Sequence, residues 1–319
     1  KAINHEKLRD HKGCLAIIIS TKSNRFAMHL LGLLFNLFST TLALSPTPVV
    51  IWHGVGDTCC QSTSMGGMVQ HVRDIIPGVY IYSIGLDPDP EVDKHMSYIA
   101  NMNEQVAKVC DWIAADPRLK DGYNAIGASQ GSQFLRAVAQ RCPSPHMKTL
   151  LTLGGQHQGV YGFPDCYGDN PLCDEVRTIL DGVAYVPYLQ NTIVQAQYFH
   201  DSDDEELYRD ASIFIAEINN EKDFNPSYKS NLLSLENLVL VMFDQDVTVI
   251  PRESSWFGFY QEKNIDVIVP YNESRLYTED RIGLRELDES GRLHFYTMHG
   301  RHMAYDWDVL TQLIDLYFK

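Results

Sequence analysis

The sequence predicts an α/β fold in which a mostly parallel central sheet is covered by helices on both faces. Three observations predict it. Val49-Val50-Ile51-Trp52 is apolar at every position, as a central strand buried on both faces requires. Similar short apolar runs recur with helix-periodic segments between them, the alternation that builds parallel sheets. Finally, 45% of the 319 residues are hydrophobic and 21% charged, which supplies a packed core and excludes a disordered chain. The length suits two domain units or one large α/β domain.

The first 45 residues are read as standing outside that fold. Residue 1 is lysine and the first methionine is Met28. After Lys22 and Arg25, the apolar run from Leu30 to Phe38 is broken by Asn36 and falls short of the about 20 residues that a membrane span needs. Ala43 and Ser45 follow, spaced like a signal-peptidase site. Residues 1–45 are therefore read as an upstream extension plus a secretory signal starting at Met28. A buried core helix is the competing reading, because the two kinds of segment overlap in length. Removing these residues takes away six basic and two acidic side chains, so a chain of formal charge −15 becomes more acidic still. That balance argues against a nucleic-acid partner, since clustered Lys and Arg drive phosphate binding.

Residues 46–319 are then read as one domain with an inserted segment. The first strand runs into His53-Gly54-Val55-Gly56, and a second is expected at 79–82. Met96, Ile99, Val106, Cys110 and Ile113 share one helix face, and Asp116-Pro117 ends that helix. A strand at 123–126 precedes a helix through Phe134, Leu135 and Val138. Further core strands are expected at 148–153, 238–243 and 293–296. Between about 156 and 235 the rhythm breaks into a segment holding Tyr161, Phe163, Tyr185, Tyr188, Tyr198 and Phe199, read as a largely helical cap inserted over one sheet edge. The acidic run 201–206 lacks the glycine and terminal glutamate of a calcium loop and is read as a solvated face.

Six of the seven cysteines follow residue 45, and Cys14 falls in the discarded segment. An even count suits an oxidising compartment, against the alternative of a cytosolic protein with free thiols. Asn272-Glu273-Ser274 is a usable glycosylation sequon, whereas Asn225-Pro226-Ser227 is blocked by its proline.

The chemistry starts at Gly127-Ala128-Ser129-Gln130-Gly131. A strand ends before Ser129 and a helix begins after it, the setting of a nucleophile elbow rather than of a merely structural turn. Such a serine needs a base oriented by a carboxylate. In the order Ser…Asp…His, Asp244 and Asp246 follow one late strand, and His299 and His302 follow the last. Spacing does not decide within either pair. The loop His53-Gly54-Val55 suits an oxyanion site with the Val55 and Gln130 amides as donors, His53 itself being structural. His299 and His302 could also ligate zinc, but no suitably spaced third ligand accompanies them.

Longer strings say more than the pentapeptide. They are Val50-Ile51-Trp52-His53-Gly54 through Asp57 and Cys59-Cys60, Ser129-Gln130-Gly131 with 133–142, Gly154-Gly155-Gln156-His157-Gln158-Gly159-Val160, Trp256-Phe257-Gly258-Phe259-Tyr260 and Leu276-Tyr277-Thr278. In these the chain resembles the palmitoyl-protein thioesterase family over essentially all of residues 47–319. The resemblance implies an α/β-hydrolase that removes fatty acyl groups, typically palmitate, from protein cysteine thioesters.

Carried over by position, the resemblance makes Ser129 the nucleophile, Asp246 the acid and His302 the base. It pairs Cys59 with Cys60, Cys110 with Cys142 and Cys166 with Cys173. It implies S-palmitoylated proteins or peptides as substrates, no cofactor, no metal, no stable membrane span, and a lysosomal address with secretion as the alternative. Ser132 stands where the family usually has a second glycine and is expected to tighten the elbow. Gln245 removes a sequon, and Arg301 replaces an acidic neighbour of the histidine; if close, it would favour the neutral imidazole. The acyl chain is expected in an apolar groove roofed by the insertion. An ester lipase with the same triad is the nearer rival, and a binding protein that holds acylated ligands without turnover is the more distant one.

Overall fold

The computed structural model describes residues 45–162 and 183–319. The expected signal segment, Cys14, Phe163, Cys166 and Cys173 lie outside the described residues.

The strands are β1 (Val49–Trp52), β2 (Ile81–Ile84), β3 (Tyr123–Ala128), β4 (Met147–Leu153), β5 (Asn237–Phe243), β6 (Phe259–Gln261), β7 (Asn264–Val269) and β8 (Leu293–Met298). Six of them form one parallel sheet in the order β2-β1-β3-β4-β5-β8, and β6 and β7 form an antiparallel pair. Helices α1 (Met65–Ile75), α2 (Pro90–Met96), α3 (Met102–Ala115) and α4 (Gln130–Arg141) precede β4. Between β4 and β5 come α5 (Pro187–Thr192), α6 (Glu205–Ala211), α7 (Ile215–Ile218) and α8 (Pro226–Leu232); α9 (Arg275–Thr278), α10 (Leu284–Glu289) and α11 (Trp307–Tyr317) follow β7.

The continuous apolar runs are buried because successive side chains leave opposite faces of the sheet. Val49, Ile51, Ile126, Leu151 and Val239 meet Met65, Met68 and Val72 of α1 and Leu310, Leu313 and Ile314 of α11. Their neighbours Val50, Trp52, Ala125, Leu150 and Leu238 meet Val106, Val109 and Ile113 of α3 and Phe134, Leu135 and Val138 of α4 on the other face. Full burial of each aliphatic side chain is worth roughly 1.5–3 kcal/mol, so the two clusters hold the sheet at the centre.

Two elements differ from expectation. The helix expected through Met96 and Ile113 is two helices. Asn101 caps α3 by accepting the Asn103 amide at 2.9 Å, while α2 ends at Ser97. Between them Ile99 pairs with Ile193 in an antiparallel bridge. The apolar spacing survives the break because both halves face the same core. The second strand lies at 81–84 rather than 79–82, because the Val79 amide is held by the Ile76 carbonyl at 3.1 Å in the preceding turn. The β6–β7 pair has no counterpart in the sequence reading. Ile265 and Val267 of β7 are exposed, so that strand offers no buried face to generate a pattern.

From β1 the chain steps outward to β2, then crosses to the far side of β1 to form β3. Neighbouring crossovers thus diverge at the carboxyl ends of β1 and β3, opening the crevice in which parallel α/β sheets hold ligands. Ser129 follows β3 and His53 follows β1, so both stand there.

Candidate active site

Ser129 has φ 51°, left-handed backbone that a side chain rarely adopts, and it stands between β3 and α4. The turn is possible only because its flanks carry no Cβ. A Cβ on Gly127 would lie 2.4 Å from Ser132 Cα, and one on Gly131 would lie 2.2 Å from the Trp52 carbonyl oxygen. Ser132 adds a tie of its own: its hydroxyl donates to the Gly127 carbonyl at 2.9 Å across the elbow.

His302 and Asp246 arrive from the other side of the crevice. His302 Nε2 is 2.9 Å from Ser129 Oγ, and His302 Nδ1 is 2.6 Å from Asp246 Oδ2. The other Asp246 oxygen accepts the Thr248 and Val249 amides at 2.8 and 3.0 Å, which fixes the carboxylate after β5. Phe243 meets the imidazole edge-on, and Gly154, with φ +60°, leaves room beneath it.

The rival residues pair elsewhere. His299 Nδ1 is 2.9 Å from Asp244 Oδ2, and its side chain is 80% exposed against 10% for His302. The Gly300 amide, and then His299, hold the Asp244 carboxyl below its usual range. Arg301 is solvent-exposed, where water and salt screen its charge. Among the described residues no group of three or more metal-binding side chains occurs.

The loop after β1 runs directly over the serine. A Cβ on Gly54 would lie 2.9 Å from Ser129 Cβ, leaving no space between loop and elbow. The Gln130 amide is the first of α4 and has no intrahelical acceptor. Asp93, fully buried, accepts the Cys59 amide at 3.0 Å and the Leu86 amide at 2.8 Å, and its Oδ1 is 3.4 Å from His53 Nε2. Burial raises the Asp93 carboxyl, but His53 and the two amides outweigh it and leave the group below its ordinary range. This buried carboxylate thus meets the first residue of the loop and holds Cys59 farther along it. The Cys59–Cys60 disulfide closes beside it, and Cys110–Cys142 ties α3 to the end of α4.

Sequence reasoning missed a row of buried amides behind the serine. Gln156 Nε2 donates to Ser129 Oγ at 3.2 Å, and Gln133 Nε2 donates to Gln156 Oε1 at 2.7 Å. Buried Arg136 anchors the next residues through the His157 carbonyl at 3.0 Å and Asn219 Oδ1 at 2.8 Å; burial lowers its pKa to about 9. Gln156 stood within the string 154–160, but nothing in its spacing marked it as touching Ser129.

Beyond the loop, Tyr98, Leu189, Ile193 and Ala196 form a third apolar cluster, against which Val55 and Ile99 pack. Tyr198 reaches back from this segment, its hydroxyl donating to Gln130 Oε1 at 3.3 Å.

The profile of the palmitoyl protein thioesterase family matches residues 48–302. Palmitoyl-protein thioesterase 1 of Caenorhabditis elegans is 54% identical over 277 residues, covering 86% of this chain and 93% of its own length. Palmitoyl-protein thioesterase 3 of Dictyostelium discoideum is 34% identical over 278 residues, with coverages of 86% and 92%. The lysosomal thioesterase PPT2 homolog of Drosophila melanogaster is 30% identical over 305 residues, with coverages of 91% and 98%.

Proposed function

The chain belongs to the palmitoyl protein thioesterase family, and from that premise we propose that it hydrolyses long-chain acyl thioesters on cysteine through Ser129, His302 and Asp246. The single observation that carries this reading is the 2.9 Å contact from Ser129 Oγ to His302 Nε2, backed by the 2.6 Å contact to buried Asp246.

In this mechanism His302 takes the Ser129 proton as Oγ bonds to the thioester carbonyl carbon. The carbonyl electrons move to oxygen, where the Val55 and Gln130 amides receive the charge. Collapse of this intermediate breaks the C–S bond, and the His302 proton goes to the departing cysteine sulfur. Water then attacks the acyl-serine with His302 again as base. Its proton returns to Ser129 as the ester bond breaks, releasing the fatty acid. Asp246 holds the imidazole tautomer that presents Nε2 to the serine and stabilises the imidazolium between the two transfers.

The acyl chain is assigned to the apolar side of the crevice, where half-buried Val55 and Ile99 pack against buried Leu189 and Ile193, under the cap formed by the segment between β4 and β5. Each methylene buried there adds about 0.8 kcal/mol, so a long chain is favoured over a short one. Partners are S-palmitoylated proteins or peptides. A lysosomal or secretory address is proposed, supported by the name of the Drosophila relative and by the paired cysteines. Among the described residues no helix is long and apolar enough to cross a membrane. Asn272 is exposed and is assigned as the glycosylated residue.

The reading is tested with a palmitoyl-cysteine peptide and a triacylglycerol, each at acidic and neutral pH. The peptide is the expected substrate, and Ser129→Ala lowers its turnover about 10⁵-fold or more while melting like the parent. Preference for the triacylglycerol would make the protein an ester lipase, and binding of the peptide without turnover would make it an acyl-protein carrier.

A further inference from the structure

The crevice holds one side chain that touches the reacting oxygen and has no part in the triad. Gln156 is 3% exposed, and its Nε2 reaches Ser129 Oγ at 3.2 Å and the Gly154 carbonyl at 3.1 Å. Gln133, fully buried on α4, faces it twice. Gln133 Nε2 donates to Gln156 Oε1 at 2.7 Å, and Gln133 Oε1 accepts the Gln156 backbone amide at 3.1 Å. With its oxygen committed to Gln133, the Gln156 carboxamide can only present its NH2 group to the serine.

We propose that Gln156 is a further catalytic residue, donating to Ser129 Oγ so that the serine's own hydrogen points at His302, and that Gln133 is its positioning residue. This rests on the triad reading of the site. A serine hydroxyl has one hydrogen and two lone pairs. Gln156 occupies one lone pair at 3.2 Å, so the O–H is left to His302 Nε2, the acceptor 2.9 Å away. As the proton leaves, the hydrogen bond strengthens because its acceptor becomes anionic. Once Oγ carries the acyl group its negative charge is gone and the bond weakens, so the assistance falls mainly on acylation.

The test measures phosphonylation of Ser129 by a fluorophosphonate, in which Oγ bonds to phosphorus and fluoride leaves, and kcat/KM for a palmitoyl thioester. Gln156→Leu lowers both on the order of 10- to 100-fold, with KM little changed. Gln133→Leu gives a smaller loss of the same kind. Gln156→Glu separates donation from packing. Protonated at acidic pH, the new carboxyl donates to Ser129; ionised, it accepts the serine hydrogen and turns it away from His302. Its activity relative to the parent therefore rises as pH falls, with melting temperatures measured at each pH as the control. A ratio independent of pH, or Gln156→Leu within twofold of the parent, overturns the proposal. Ser129→Ala keeps the two readings apart: if that variant still turns over thioester, the triad reading fails; if it is dead while Gln156→Leu is fully active, only the role of Gln156 fails.

Discussion

At the scale of single residues, two aspartates two positions apart have opposite surroundings. Asp246 is buried, accepts two backbone amides and touches His302, whereas Asp244 sits with solvent-exposed His299. Asp246→Asn keeps the shape but donates where the carboxylate accepted, favouring the wrong imidazole tautomer. Its expected effect is a loss of about 10⁴ in kcat at neutral pH. Asp244→Asn is expected to stay within about threefold of the parent, since exposed ion pairs contribute little. Steady-state kinetics on both variants checks the pair. Spacing along the chain left this choice open, and only the family resemblance pointed to Asp246 and His302. Both aspartates follow the same strand, and only the path of the chain after Met298 determines which one meets a histidine beside Ser129.

At the scale of elements, the elbow is a junction of three pieces: the end of β3, the start of α4 and the loop after β1. Gly131 is where they touch. A methyl group there would sit 2.2 Å from the Trp52 carbonyl oxygen and 2.7 Å from that of His53. Gly131→Ala must push β1 away from α4, and denaturant unfolding should show a loss of about 2–4 kcal/mol. Activity should fall further than stability alone accounts for, because the displaced loop carries the Val55 amide. The pentapeptide pattern made both glycines conspicuous. That the obstructing atoms belong to β1, nearly eighty positions earlier, follows only from the parallel pairing of β1 with β3.

At the scale of the whole molecule, stability is coupled to acidity through the segment between β4 and β5. Fully buried Tyr208 donates to Glu221 Oε2 at 2.7 Å. Burial is the largest influence on Glu221 and raises its pKa; His200, Tyr208 and Asn219 pull the other way without cancelling it, and Glu205 adds to the rise. A carboxyl with a raised folded-state pKa holds its proton more tightly folded than unfolded. Its contribution is intact below the unfolded value of about 4.3 and becomes a penalty as pH rises through the folded value. Glu221→Gln, which keeps the acceptor for Tyr208, should raise the melting temperature at neutral pH, and the gain should vanish below about pH 4. A gain of equal size at both pH values would contradict this account. The acidic composition, −15 overall, left such a site invisible, because net charge does not say which carboxylates are enclosed.

The order of strands and helices, the turn at Ser129 and the late aspartates and histidines after β5 and β8 were readable from sequence because they are local. Apolar runs, glycine spacing and turn residues act over a few neighbours along the chain. The break between α2 and α3, the contact of Asp246 with His302 and of Asp244 with His299 that spacing left open, the contact of Asp93 with the loop after β1, and the amides of Gln133 and Gln156 behind Ser129 were decided by tertiary structure. Each depends on groups distant in sequence brought within hydrogen-bonding reach, and in a buried crevice a polar group must find such a partner.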